Sequence, residues 1–139
     1  YTQEVEDAAK NPGTVTDQAI LFWKLTHHVI AHYRDVRPDW VFVRNEDLAT
    51  RSMQAYGSLF SLLGLPFGAA ERDVVREYTQ GDSKPTTEST PLHAVRRNSE
   101  YEAWKWRHSL DASTIDRVKE QTAPLWEEFY DRSTWKHSL

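Results

Sequence analysis

Apolar residues recur every three or four positions through much of this chain, and the breakers between the recurrences divide it into elements. A polar opening ends in the turn signal Asn11-Pro12-Gly13, after which Thr14 and Thr16 are suitable N-caps for a helix reaching about Arg34. Ile20, Trp23, His27 and Ile30 form its stripe, with Phe22, Thr26 and Tyr33 beside it. Arg37-Pro38-Asp39 ends it, because proline disfavours helical geometry in the residue before it. The spacing of Met53, Tyr56, Leu59, Phe60 and Leu63 predicts a second helix from about Ser52 to Leu63. Gly64 is placed to be the left-handed residue closing it, and Pro66 prevents its resumption. A shorter helix is expected over 71–78. The last helix starts near 109–113 and carries Ile115, Val118, Thr122, Leu125 and Phe129, with a kink at Pro124.

Trp40-Val41-Phe42-Val43-Arg44 has a different pattern. It is contiguous, β-branched and aromatic, and breakers bound it, so it reads as a short buried strand. A lone strand leaves its own backbone groups unsatisfied. Residues 41–43 therefore need a partner, and the chain offers no second strand to supply one. The chain itself is expected to be mostly α-helical with one short core strand, as part of a larger α/β unit. Residues 80–95 are rich in Gly, Ser, Thr and Pro and read as a flexible loop. No internal repeat or boundary divides residues 1–139, which are expected to form one domain or part of one.

Composition narrows the choice of partners. The 139 residues are 39% hydrophobic, enough for one modest core in which six Trp, six Tyr and five Phe supply much of the burial. A net charge of −4 argues against a general nucleic-acid coat, so any anion site is local. The absence of cysteine excludes disulfides and thiolate metal sites and favours an intracellular setting. No apolar run approaches the ~20 residues of a membrane span, and the start lacks a basic-then-apolar signal. The expectation is a cytoplasmic protein with no membrane or nucleic-acid partner.

The chemistry concentrates in Arg96-Arg97-Asn98-Ser99 and, four residues on, Trp104-Lys105-Trp106-Arg107. Guanidiniums, an amide and a hydroxyl suit phosphate oxygens. An indole can cover a nucleobase or support an arginine by stacking. The plainer alternative leaves Arg96, Arg97, Lys105 and Arg107 as solvated surface charges. Glu46 and Asp47 follow the expected strand, where α/β proteins place ligands, although Asp47 also suits a cap and Glu46 a solvated charge. His28 and His32 share a helix face, but no third ligand or positioned general base completes a metal site, so none is expected. No G-x-S-x-G elbow frames a serine nucleophile.

Taken in order, these segments resemble the sulfotransferase family, in particular its bacterial members. Arg37-Pro38-Asp39-Trp40, the expected strand, Glu46-Asp47-Leu48, an amphipathic helix and Leu63-Gly64-Leu65-Pro66 follow one another as they do there. The family also has an Arg-Lys-Gly cluster that grips the 3′-phosphate of 3′-phosphoadenosine 5′-phosphosulfate, with a Trp-Lys pair a few residues later. Arg97, followed at that spacing by Trp104 and Lys105, matches it, while Asn98 and Ser99 stand where cytosolic members have Lys and Gly. The resemblance runs from about Thr14 through the last helix.

The resemblance implies an α/β, P-loop-like sulfotransferase fold of which this chain is the C-terminal portion. It implies transfer of a sulfuryl group from 3′-phosphoadenosine 5′-phosphosulfate to a hydroxyl or amine of a small-molecule acceptor, without a metal. Arg97, with Arg96 and Ser99, would hold the 3′-phosphate, with Asn98 beside them and Trp104 and Lys105 as buttress. Asn45, where many members have a tyrosine against the adenine, would face the nucleotide, and Trp23 or His27 would border the acceptor. No G-x-x-x-x-G-K-[ST] turn occurs, and the catalytic residues cannot be placed, so the chain alone is expected to be inactive. The rival expectation is a non-catalytic helical binding module.

Overall fold

The computed structural model describes residues 1–80 and 98–135. Eight α-helices are found among them: α1 Thr2–Lys10, α2 Val15–Val36, α3 Asn45–Thr50, α4 Ser52–Leu62, α5 Ala69–Thr79, α6 Ser99–Trp104, α7 Trp106–Ser109 and α8 Ala112–Thr122. Two 3-10 turns, Leu125–Glu128 and Arg132–Trp135, close the described chain. The chain divides into two compact units. One comprises Tyr1–Val41 with Ser109–Leu139, the other Phe42–His108.

In the first unit α2 is started by a reciprocal cap. The Asp17 N–H donates to Thr14 Oγ1 at 3.2 Å, and the Thr14 N–H donates to Asp17 Oδ2 at 2.8 Å. Ile20 is buried on the face that packs against α8, where Ile115 and Thr122 are also buried. The Thr122 hydroxyl donates to the Val118 carbonyl at 2.7 Å, which lets a polar residue sit in this core. Trp126 completes it, with its indole N–H donating to the Lys119 carbonyl at 3.1 Å. The last helix is shorter than its periodicity suggests. It stops at Thr122 rather than kinking, because Ala123, the residue before Pro124, is extended at φ −71, ψ 150.

The opening residues also depart from expectation, since 2–10 form α1. They hold good helix formers but almost no apolar stripe, and none of them is buried. A Lys24–Glu4 ion pair at 3.0 Å and the Lys24 ammonium 5.3 Å from the Tyr1 ring tie this end to α2.

The short core strand expected over Trp40-Val41-Phe42-Val43-Arg44 is not formed. Residues 41–44 have no regular structure, and Val41, Phe42 and Val43 are each at least 40% exposed. The reason is the one the backbone imposes. Among the described residues there is no strand for this run to pair with, only an isolated antiparallel bridge between Gln80 and Asn98. The mostly helical character of the chain stands.

In the second unit α4 ends as its sequence requires. Gly64 adopts φ +66, the Leu65 N–H reaches the Phe60 carbonyl at 2.8 Å, and the Gly64 N–H reaches that of Ser61 at 3.1 Å. The turn brings Phe67 against Phe60, ring centroids 5.1 Å apart, and leads into α5, whose Val75 is buried. Helix α6 packs against both α3 and α5.

Candidate functional site

The candidate residues gather in the second unit, where α3 lies against α6. Residue Arg44 is extended, and Asn45, exposed, is the first residue of α3. Glu46 and Asp47 fall in the first turn of that helix, where carboxylates suit the positive end of the backbone dipole. Asp47 is gripped by arginine from both sides. Arg44 donates from Nε at 2.7 Å and from Nη2 at 2.8 Å, and Arg51 pairs with Oδ1. These partners, Arg44 foremost, hold the Asp47 carboxyl below the usual carboxylate range. Asp47 is thus a structural anion, with its charge already answered.

Helix α6 begins at Asn98, whose side-chain oxygen accepts the Tyr101 N–H at 2.9 Å. Ser99 is its first residue and half-buried, and Trp104 is its last. Exposed Lys105 links α6 to α7 and stands 3.8 Å from Glu102. Arg107 returns over the preceding turn, its guanidinium carbon 3.8 Å from the Trp104 ring centroid and 5.5 Å from that of Trp106. Partial burial there pushes the Arg107 pKa down from its ordinary value. Of the two uses open to an indole at 104, the fold takes the support of an arginine.

Around Asn98 opens a pocket of about 450 Å³, lined among others by Thr50, Arg51, Gln54, Gln80 and Glu100. Its size is that of a small-molecule site. Hydroxyl, amide and guanidinium donors fit an oxyanion, while Glu100 opposes one on the same wall. Arg96 and Arg97 lie outside the described residues, immediately before Asn98, as does most of the loop expected over 80–95. Asn98, Ser99, Trp104 and Lys105 are brought together on one short helix and its end, and Asn45 starts the helix packed on it.

Trp23 and His27 fall in the other unit and pack there. Their rings stack at 3.8 Å, His27 Nδ1 is 3.0 Å from the Trp23 carbonyl, and Phe129 meets His27 edge-on at 5.1 Å. His28 lies against the Tyr1 ring and His32 beside Tyr33. No group of three metal-ligating side chains occurs among the described residues, and no helix among them is long and apolar enough to cross a membrane. Sequence reasoning missed Arg51 and Gln80 as pocket residues. The Arg51 signal was present, since Arg44 and Arg51 flank Asp47 at i−3 and i+4. Gln80 had none, because the bridge that places it is a tertiary contact.

The chain matches no protein-family model, and no solved structure matches it. Over 89 residues it is 27% identical to the protein described as "Carbohydrate sulfotransferase 3" of Mus musculus. The aligned part is 64% of this chain and 18% of that protein, so the chain corresponds to a small fraction of its relative's length. The similarity supports a relationship to sulfotransferases.

Proposed function

We propose that this chain is the C-terminal, nucleotide-gripping portion of a sulfotransferase that uses 3′-phosphoadenosine 5′-phosphosulfate and a hydroxyl or amine acceptor. The observation that carries the reading is the packing of α3 on α6. The two stretches whose order resembles the family, around Glu46-Asp47-Leu48 and around Asn98 to Lys105, are far apart in the chain yet form one body. In the larger α/β fold, residues 41–43 become the strand that they cannot form alone.

When bound, the nucleotide supplies the activated sulfuryl group. Arg97 and Arg96 hold its 3′-phosphate by charge-assisted hydrogen bonds, and Ser99 adds a hydroxyl donor. Asn98, by capping α6, fixes where Ser99 points. Trp104 with Arg107 and Lys105 with Glu102 stiffen the end of that helix. Asn45 faces the nucleotide from α3. Catalysis in such transfers rests on in-line positioning and charge stabilisation, and the groups that touch the transferring sulfuryl belong to other parts of the enzyme.

Calorimetric titration of the full-length protein with 3′-phosphoadenosine 5′-phosphate tests the assignment. Arg97→Ala is expected to weaken binding more than about tenfold, the effect of losing one charged contact. A change within about twofold would overturn it.

One observation favours the binding-module reading instead. Leu62, Leu63 and Leu65 are 69%, 54% and 51% exposed, an apolar surface suited to a protein partner. A folded monomer of this chain with no nucleotide affinity would support that reading, whereas an aggregating one would support a piece of a larger enzyme.

A further inference from the structure

The groove between α4 and α5 holds a second constellation that the nucleotide reading does not use. Its volume is about 760 Å³. Arg72 and Arg76 of α5 line one side, and Gln54, Ser58 and Ser61 of α4 line the other. The two arginines are four residues apart, so their Cα atoms stand on one helix face about 6 Å apart along the axis. Arg72 makes no ion pair among the described residues, and its guanidinium carbon lies 5.7 Å from the Phe67 ring centroid. Arg76 is paired with Asp73 at 2.6 Å, with side-chain exposures of 54% and 72%. An exposed pair of this kind is weak, so an incoming anion displaces Asp73 at little cost.

The opposite wall offers hydroxyls and an amide, which both donate and accept. Gly57 keeps the groove open beside them, since a Cβ there would meet the Phe67 ring at 3.3 Å. Two cations at a one-turn spacing, faced by neutral groups of mixed donor and acceptor character, match a ligand with repeated negative charges and many hydroxyls. We propose that this groove binds an acidic saccharide, with Arg72 and Arg76 taking its carboxylate or sulfate groups and Ser58, Ser61 and Gln54 its hydroxyls. An acidic peptide would leave the hydroxyl wall unused. A nucleic acid finds net negative charge and an aromatic ring already covered by Arg72. The inference does not depend on the nucleotide reading, because α4 and α5 form the groove without Arg97 or Ser99.

The test is calorimetric binding of three probes to the full-length protein at one low ionic strength. They are a hexasaccharide with a carboxylate or sulfate on each sugar, its neutral counterpart, and hexaglutamate. The charged saccharide is expected to bind at least about tenfold more tightly than either of the others. The double variant Arg72→Ala, Arg76→Ala, checked for folding by circular dichroism, should lose about tenfold or more. Asp73→Asn, which releases Arg76, should strengthen binding about two- to threefold. Ser58→Ala with Ser61→Ala should weaken the saccharide by about threefold and leave hexaglutamate unchanged. Affinity for 3′-phosphoadenosine 5′-phosphate should be the same in all of these variants, which separates this inference from the nucleotide assignment. No binding of the charged saccharide, equal binding of hexaglutamate, or an unchanged affinity in the folded double-arginine variant would each overturn the proposal.

Discussion

Ile20, Ile115 and Trp126 are buried in the unit built on α2 and α8, whereas Val75 alone among the described hydrophobic residues is buried in the unit of α3 to α7. Charge is used differently too. In the first unit Arg117 pairs with Asp17 and Arg34 with Glu128, tying segments about a hundred positions apart. In the second the pairs are local: Arg44 and Arg51 on Asp47, Arg76 on Asp73, Arg107 on the Trp104 face. The second unit also holds both the Asn98 pocket and the α4–α5 groove. Apolar closure and open polar surface are thus kept in different places. A unit with little buried area must position its binding groups by short-range polar contacts, and those contacts leave the grooves accessible.

The largest effect that bears on this contrast is expected from Trp126→Ala, which removes a buried indole and its hydrogen bond to Lys119. A loss of about 3–5 kcal/mol in denaturant unfolding is expected, with faster hydrogen exchange of the α2 and α8 amides. The matching truncation in the other unit, Val75→Ala, should cost about 2 kcal/mol, because it removes only two methyl-sized groups. If the valine change costs as much as the tryptophan change, the contrast between the units fails.

Where one element suffices, the chain's pattern told its structure. Helix α2 starts at Thr14 because its cap is encoded within four residues, and α4 ends at Gly64 because only a left-handed residue closes that turn cheaply. Residues 41–43 were misread because their apolar run states a preference that only a neighbouring strand can satisfy. Helix α1 was missed because charged and small residues form a helix without an apolar period. At the candidate site, the order of Asn98, Ser99, Trp104 and Lys105 was visible, but the stacking of Arg107 on Trp104 and the bridge from Gln80 depend on packing that spacing does not encode.

A smaller change sharpens the same contrast from the side of local polar contacts. Thr14→Ala deletes the hydroxyl that accepts the Asp17 N–H and should cost about 1 kcal/mol. Because Asp17 also pairs with Arg117 of α8, its carboxylate stays anchored, and the loss should be confined to the start of α2. Hydrogen exchange at the first α2 amides reads this directly. Acceleration spreading through α8 would mean that the cap, rather than the apolar core, secures this unit.

The smallest effect is expected at Asp47, and its pH dependence identifies its origin. Asp47→Asn keeps the shape and removes the charge held by Arg44 and Arg51, for an expected cost of about 0.5–1 kcal/mol at neutral pH. The folded-state pKa of Asp47 is depressed by those arginines, so its contribution is complete above the unfolded carboxyl value of about 3.9. It is lost as pH falls through the lower folded value, where the proton that the folded carboxylate resists is finally taken up. Wild type and Asp47→Asn should therefore differ in denaturant midpoint at neutral pH and converge in strong acid. Raised salt should narrow the gap as well, since the pairs are partly exposed. A difference that survives both acid and salt would mean that Asp47 acts through neutral hydrogen bonding, and that the second unit is not organised by local charge.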